Sequence, residues 1–249
     1  AGGAARELAP GVGHGLDQAT WSADGKSVWV LANTGVRDQL LGVGVDDGKL
    51  TPLTTGDEAL GAWEYSPALE RHLLTRRTAQ DPGEVWVLAS DGAAGKVTHL
   101  YGDIAQRFRL PREEAIRWKG KDGVEVEGLL YYPLDWREGE RSPLVVQTHG
   151  GPSSSDQFGG SFSSSNYIPV LASLGYFVLK PNYHGSSGYG LDWLESIKGR
   201  YYELEVPDLI AGVDALVAAG LADASRLALV GWSNGAILGI ATAIEAAKI

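Results

Sequence analysis

From residue 143 onward, short apolar runs alternate with longer segments in which apolar residues recur every three or four positions. The short runs predict buried strands, at 144–148, 176–180 and 226–230. The longer segments predict helices, at 168–174, 207–219 and 234–249. Because strands that alternate with helices form mainly parallel sheets covered on both faces, this half of the chain is predicted to be a doubly wound, mostly parallel α/β domain.

The first hundred residues carry a different pattern, in which short strand-like runs are separated by turns and recur with an offset of 44. Trp21-Ser22 recurs as Tyr65-Ser66, and Asp47-Gly48 recurs as Asp91-Gly92. A period in the low forties built from short strands is typical of β-propeller blades, and Asp-Gly pairs favour the turns between strands. The alternative is a plain antiparallel sandwich with similar hairpins. Two blades do not close a ring, so the propeller hypothesis requires further blades before residue 1.

Composition and charge narrow the range of functions. The chain has 249 residues, of which 44% are apolar and 21% charged, as in globular proteins. A net charge of −10 without clusters of lysine or arginine argues against a nucleic-acid partner. The absence of cysteine excludes disulfides and thiolate metal sites, and no apolar stretch reaches the length of a membrane span. No cofactor or metal motif is visible, and the compartment of a soluble protein stays open, cytoplasmic or periplasmic/secreted.

The strongest chemical signal follows the predicted strand at 226–230. The sequence Gly231-Trp232-Ser233-Asn234-Gly235 has the G-x-S-x-G pattern of a nucleophile elbow, and a predicted helix follows it. In such an elbow a sharp turn exposes the serine hydroxyl, and a Cβ at either glycine would clash with a neighbouring strand or helix. Ser233 is therefore the candidate nucleophile, with an ordinary turn serine as the alternative. Asn234 is a candidate oxyanion donor through its backbone N–H at the helix N-terminus.

A second candidate element follows the predicted strand at 144–148. His149-Gly150-Gly151-Pro152 is rich in glycine, and hydrolases of this architecture take a second oxyanion N–H from the loop after an early strand. Gly151 is the first choice for this donor and Gly150 the second, since only glycine lets a backbone amide come so close to the reacting carbonyl. His149 is expected to orient the loop, because it precedes the serine whereas the base of an α/β hydrolase follows it.

Four motifs occur in order along the second half of the chain: H-G-G-P at 149–152, P-N-Y-x-G-S-x-G-Y-G at 181–190, G-V-D-A-L at 212–216 and G-W-S-x-G at 231–235. Together they resemble the motifs of the prolyl oligopeptidase family of serine peptidases, and most closely its acylaminoacyl-peptidase and dipeptidyl-peptidase branch. The chain departs from the family pattern where His184 replaces the usual Arg, Asn234 a frequent Tyr and Ala236 a common Gly. The first of these changes bears on how the loop at 181–190 is anchored.

The resemblance implies an α/β-hydrolase domain preceded by a β-propeller. On this basis residues 1–110 are predicted to be the C-terminal part of a propeller, about two blades, and residues 111–249 the N-terminal part of a catalytic domain that opens with a hairpin at 114–131. The parent protein is expected to hydrolyse short peptides through an acyl-enzyme formed on Ser233.

The histidine and aspartate that would complete a catalytic triad are expected beyond residue 249, because all five histidines precede Ser233. We interpret the chain as a fragment that is inactive by itself. One alternative is a carboxylesterase on the same fold, and another is a non-catalytic binding fragment. The exo or endo mode, the residue preference and the oligomeric state stay open.

Overall fold

The computed structural model describes residues 3–10, 12–162 and 167–247. Its first part contains two four-stranded antiparallel sheets, each with its strands in chain order. The first sheet comprises β1 (Gly15–Trp21), β2 (Ser27–Asn33), β3 (Asp38–Gly44) and β4 (Leu50–Pro52). The second comprises β5 (Glu58–Ser66), β6 (Arg71–Thr78), β7 (Asp81–Ala89) and β8 (Ala94–Lys96).

The two sheets follow the repeat seen in the sequence. Strand β2 starts at residue 27 and β6 at residue 71, while β4 starts at 50 and β8 at 94, so both pairs keep the offset of 44. Each unit has four strands, which pair in chain order. The sheets share one apolar cluster, composed of Leu31, Leu40, Leu60, Trp63, Leu74 and Leu88.

His72 is fully buried against this cluster. Its Nδ1 accepts a hydrogen bond from Trp63 Nε1 at 3.2 Å, and the two rings are stacked. Its Nε2 has no hydrogen-bond partner among the described residues. Burial disfavours the charged imidazolium and lowers the pKa of His72 to about 4.

Acidification is expected to weaken the two-sheet unit through His72. The folded-state pKa of about 4 lies below the ordinary value of 6.5, so between these values the unfolded chain binds more protons than the folded one. The contribution of His72 is therefore present above pH 6.5 and falls by roughly 3 kcal/mol as the pH drops towards 4. Urea unfolding of the wild type and of His72→Gln at a series of pH values measures this contribution.

The comparison between variants is needed because Asp38 titrates in the same range with the opposite sign. Burial raises the pKa of Asp38 to about 6, so acidification from pH 6 to 4 favours the folded state at that site. Subtracting the His72→Gln curve from the wild-type curve removes the Asp38 effect, which both proteins share. Identical pH slopes in the two proteins would contradict the assignment to His72.

The third sheet lies in the second part of the chain, after the short helix α1 (Ile104–Arg107). Its strands are β9 (Glu113–Lys119), β10 (Glu125–Tyr131), β11 (Ser142–Thr148), β12 (Phe177–Asn182) and β13 (Ala222–Gly231), arranged in the order β13-β11-β12-β10-β9. The pairs β11–β12 and β11–β13 are parallel, whereas β9–β10 and β10–β12 are antiparallel. The three strands predicted from residue 143 onward thus pair in parallel, as the alternating pattern predicts. The predicted hairpin of β9 and β10 joins them antiparallel through the β10–β12 pair, so the described sheet as a whole is mixed and not mostly parallel.

Helices cover both faces of this sheet, as the alternating pattern predicts. They are α2 (Ile168–Ser173), α3 (Leu191–Glu195), α4 (Glu205–Ala218) and α5 (Asn234–Ala246). Along β10 the side chains alternate between two apolar clusters, so that Leu130 packs with α4 and α5 residues and Leu129 with α2 residues. Helix α4 begins two residues before its predicted start, and residues 248–249 of the predicted last helix lie outside the described residues. None of the helices in the described ranges combines the length and apolar character needed to cross a membrane.

The two-sheet unit contacts the α/β unit through the turn between β2 and β3. Val36, in that turn, is fully buried in a cluster with Leu129, Tyr131 and Phe158. Its carbonyl accepts a hydrogen bond from the N–H of Phe158 at 3.0 Å, and its own N–H donates to Glu127 Oε2 at 3.3 Å. A residue of the two-sheet unit is therefore part of the α/β core.

Candidate active site

Ser233 lies in a sharp turn between β13, which ends at Gly231, and α5, which begins at Asn234. Its backbone torsion angles are φ 53° and ψ −126°, and the residue is exposed. Residues with a Cβ rarely adopt a positive φ, and such a conformation persists only where the surrounding structure imposes it. The hydroxyl of Ser233 makes no hydrogen bond with any described residue, so it is free to meet a substrate.

The two glycines of the elbow are sterically required, as the motif predicts. A Cβ added to Gly231 would overlap the carbonyl oxygen of Gly235 in the first turn of α5. A Cβ added to Gly235 would overlap the carbonyl oxygens of Thr148 and His149 at the end of β11. All of these are backbone atoms, which cannot move away as a side chain can, so the tight turn depends on both glycines.

The glycine-rich loop after β11 lies directly beside the elbow. In the parallel pair β11–β13, Thr148 is the register partner of Gly231, so both strands deliver their next residues to the same edge of the sheet. The Thr148 hydroxyl donates to the carbonyl of Gly235 at 2.8 Å. A Cβ on Gly150 would lie 3.0 Å from the Trp232 carbonyl oxygen and 3.1 Å from Ser233 Cβ, which places Gly150 in contact with the elbow.

The backbone N–H groups in this region are available for a ligand. Those of Gly150 and Gly151 donate no hydrogen bond within the part of the chain that the structure describes. The N–H of Asn234 is the first of α5, and the first N–H groups of a helix have no partner inside it. Unpaired donors on both sides of an exposed serine are what an oxyanion intermediate requires.

His149 links the glycine-rich loop to the segment 181–190. Its Nδ1 lies 2.9 Å from the carbonyl oxygen of Gly150, its Nε2 lies 3.0 Å from Ser186 Oγ, and its ring stacks on Tyr183. Burial lowers the pKa of His149, which keeps the imidazole neutral. Both ring nitrogens are thus engaged away from Ser233, which agrees with an orienting role rather than that of a base.

The segment 181–190 supports the glycine-rich loop, and several of its side chains are buried. Asn182, Tyr183, His184 and Ser186 are all buried. The Tyr183 hydroxyl donates to the carbonyl of His149 at 2.7 Å, and the Ser186 hydroxyl donates to the carbonyl of Tyr183 at 2.6 Å. These bonds fix the backbone that leads into Gly150.

His184 anchors this segment to α4 and to the β9–β10 turn. Its N–H donates to Asp208 Oδ2 at 2.9 Å, and its Nδ1 lies 2.7 Å from the same oxygen. Its Nε2 lies 3.5 Å from Asp122 Oδ2. Its ring stacks on that of Trp193, with 3.8 Å between the ring centroids. The histidine that departs from the family pattern therefore has carboxylate partners on two elements. Asp208, in the first turn of α4, provides one of these carboxylates.

A cavity of about 810 Å³ opens beside the elbow, at the carboxyl ends of β11 and β13. Trp232 and His149 line it together with Lys180, Asp156 and Arg77. The Nζ of Lys180 lies 2.6 Å from Asp156 Oδ1, and both side chains are nearly buried. Sequence reasoning missed these residues, although a lysine that ends an apolar strand signals a buried charge in need of a carboxylate.

The fold and the elbow together define an α/β-hydrolase domain. The sequence model of the prolyl oligopeptidase family matches residues 161–248, which include the segment 181–190 and the elbow. This match confirms the resemblance indicated by the four motifs: over these residues the chain is similar to the prolyl oligopeptidase family of peptidases.

Individual relatives agree with this placement. The chain is 27% identical over 228 residues to dipeptidyl-peptidase 5 of Porphyromonas gingivalis, which covers 91% of this chain and 33% of the relative. It is 29% identical over 235 residues to the acylamino-acid-releasing enzyme of Sus scrofa, covering 88% of this chain and 31% of the relative. The chain thus spans about one third of the length of the curated relatives it matches.

Solved structures share the fold. An acylaminoacyl peptidase crystallised with Z-Gly-Gly-Phe-chloromethyl ketone superposes with a TM-score of 0.76 at 23% identity, covering 91% of this chain and 34% of the other. A dipeptidyl peptidase 4 of Porphyromonas gingivalis superposes with a TM-score of 0.74 at 21% identity, covering 96% and 34%. At these identities the likeness establishes the architecture only.

Proposed function

We propose that the full-length protein is a serine peptidase that hydrolyses short peptides through an acyl-enzyme, with Ser233 as the nucleophile. The observation that carries the proposal is the backbone of Ser233, held at φ 53° in an exposed residue whose hydroxyl makes no hydrogen bond to the described part of the chain. A sharp strand-to-helix turn of this kind is how α/β hydrolases present their nucleophile. The peptidase relatives support peptides as the substrate class.

The oxyanion of the tetrahedral intermediate would be held by the N–H of Asn234 and by an N–H from the glycine-rich loop. We assign the second donor to Gly151, with Gly150 as the alternative. The contact of Gly150 with Ser233 strengthens the case for Gly150. Neither assignment requires a metal or cofactor, because backbone dipoles aimed at the developing charge supply the stabilisation.

The general base and its orienting acid would come from a part of the protein outside residues 1–249. Within the described residues, no imidazole is hydrogen-bonded to Ser233, and both nitrogens of His149 have other partners. Strand β13 is an edge of the described sheet, and Ile237, Ile240 and Ile244 on α5 are more than half exposed. An apolar face of this extent is suited to packing against further protein.

We propose that residues 1–110 and 111–249 belong to two domains, with the two four-stranded sheets as β-propeller blades. The offsets of 43 or 44 residues between the starts of corresponding strands and the meander order within each sheet support this assignment. A propeller over the carboxyl edge of the sheet would restrict the site to short, flexible peptides. It would also exclude water, which strengthens the oxyanion contacts.

Hydrolysis assays of the full-length protein test this proposal against its alternatives. We expect cleavage of short peptide amides and no digestion of a stable folded protein under native conditions. Turnover of short-chain acyl esters without any peptide cleavage would favour a carboxylesterase, and an absence of any hydrolysis would favour a binding protein. Equal rates on short peptides and on an intact folded protein would show that the site is uncovered.

A further inference from the structure

We infer that Arg77 is a specificity residue of this site and binds a carboxylate of the peptide substrate. The carboxylate would be an acidic side chain or the free C-terminus. The inference rests on the proposed function, from which it takes peptides as the substrate class. The charge and the geometry that support it belong to residues outside the elbow and the glycine-rich loop.

Arg77 reaches the cavity from the other structural unit. It lies on β6, where it is the register partner of Ala59 on β5, and its residue is exposed. It nevertheless lines the cavity to which His149 and Trp232 contribute beside Ser233. A substrate bound at Ser233 and filling this cavity would therefore meet a guanidinium carried by the second sheet.

The position of the Arg77 side chain is set by two residues of the α/β unit. A Cβ on Gly159 would lie 2.9 Å from Arg77 Cγ, so the arginine stem packs directly over the Gly159 backbone, where φ is +79°. Arg77 Nη2 donates to Gln157 Oε1 at 3.3 Å. Gln157 Nε2 in turn donates to Asp38 Oδ1 at 3.1 Å, which orients the amide with its oxygen towards the arginine.

Arg77 is the cationic side chain of the cavity that forms no direct ion pair with a described residue. Lys180 is paired with Asp156, and the lowered pKa of His149 keeps that ring neutral. Other arginines at the junction have carboxylates, as in the pair of Arg37 with Asp57, whereas Arg77 forms no ion pair within the described ranges. Asp38 lies behind Gln157 and lines an adjoining cavity, which Arg77 also borders.

The chemistry of arginine favours a carboxylate as the missing partner. The guanidinium is planar and always charged, and its N–H groups match the two oxygens of a carboxylate. One donor of Arg77 is directed to Gln157, and the other N–H groups of its guanidinium have no hydrogen-bond partner among the described residues. In a chain with a net charge of −10, the guanidinium of Arg77 at the cavity next to the elbow would also attract an anionic substrate group.

Peptide binding to the full-length Ser233→Ala protein tests the inference without requiring turnover. The probes are short alanine peptide amides with a single glutamate or glutamine at each position in turn, together with the free acid and the amide of the all-alanine peptide. By calorimetry at low ionic strength, we expect the acidic member of at least one pair to bind about tenfold more tightly, as for a charge-assisted hydrogen bond. The glutamate pairs report an acidic side chain, and the free-acid pair reports the C-terminus.

The arginine variants decide whether Arg77 is responsible. In an Arg77→Gln background the preference should disappear, and in Arg77→Lys part of it should remain. Arg71→Gln is the matched control, since Arg71 is an exposed arginine on the same strand whose guanidinium contacts Glu70 O. It should leave the preference intact.

Three results would overturn the inference: no measurable binding of any probe, acidic and neutral probes binding within twofold of each other, or a preference that survives Arg77→Gln. Failure of the proposed function would be visible separately, as an absence of peptide hydrolysis by the wild-type protein. An acidic preference without hydrolysis would sustain the binding role of Arg77 and reject the peptidase assignment.

Discussion

Replacing Ser233 with alanine in the full-length protein is expected to abolish labelling by a fluorophosphonate and to lower peptide turnover by about 10⁴- to 10⁶-fold. The reason is that, under the proposed function, the exposed hydroxyl in the elbow is the group that attacks the scissile carbonyl. The measurement is the kcat/KM for a short peptide, together with mass spectrometry of the labelled protein to locate the modified residue.

The control for this substitution is Ser90→Ala. Ser90 lies in the turn after β7, and its hydroxyl donates to the carbonyl of Glu70, far from the elbow in the fold. The variant should keep wild-type labelling and turnover. Labelling of a residue other than Ser233, or substantial peptidase activity in Ser233→Ala, would reject Ser233 as the nucleophile.

Replacing Gly235 with alanine should have the second-largest effect, although no reacting atom is removed. The added Cβ would overlap the carbonyl oxygens of Thr148 and His149, so α5 must move away from the end of β11. This shift would displace both Ser233 and the N–H of Asn234. Because a misplacement of about 1 Å costs roughly 10²-fold in rate, we expect at least this loss of turnover. Unfolding by urea should also show lower stability, by about 2 kcal/mol or more.

Gly239→Ala provides a matched control on the same helix. An alanine Cβ at Gly239 would have Leu229 Cβ as its nearest neighbour, at an unstrained 3.9 Å. Since alanine has the higher helix propensity, this variant should be as stable as the wild type or more stable by up to about 1 kcal/mol, with labelling of Ser233 unchanged. If Gly235→Ala behaved like Gly239→Ala, the close approach of α5 to β11 would not be needed for the elbow.

Local sequence signals predicted most of the secondary structure and the centre of the site. The apolar runs that predict β11, β12 and β13 are short and bounded by turn residues, so they could be recognised without knowledge of their neighbours. The G-x-S-x-G pattern predicts a tight turn because it contains the two glycines that the turn requires. Gly231 is required by a backbone contact within the strand-turn-helix unit, and Gly235 by backbone contacts with the end of β11. The offset of 44 in the sequence likewise indicates a repeated local structure, and the starts of β2 and β6 and of β4 and β8 keep it.

The direction of strand pairing was less accessible. Strand β10 pairs antiparallel with β12, a strand about fifty residues later in the chain, and this pairing makes the described sheet mixed. The pattern of apolar residues indicates that a segment is a buried strand, but it contains no information on which strand it pairs with or on the direction of pairing. The prediction of a mostly parallel sheet therefore holds for β11, β12 and β13 and is wrong for the described sheet as a whole.

The sequence by itself determined the classes of element, the elbow at Ser233 and the glycine-rich loop, because each depends on residues close together in the chain. The tertiary structure alone decided which distant residues meet there. Val36 enters the α/β core and Arg77 borders the cavity beside Ser233, although each comes from a strand or turn of the two-sheet unit. Likewise His184 contacts Asp208 and Asp122, which lie on two other elements. Such contacts depend on how whole elements pack, and an isolated arginine, valine or histidine in the sequence carries no sign of its partner.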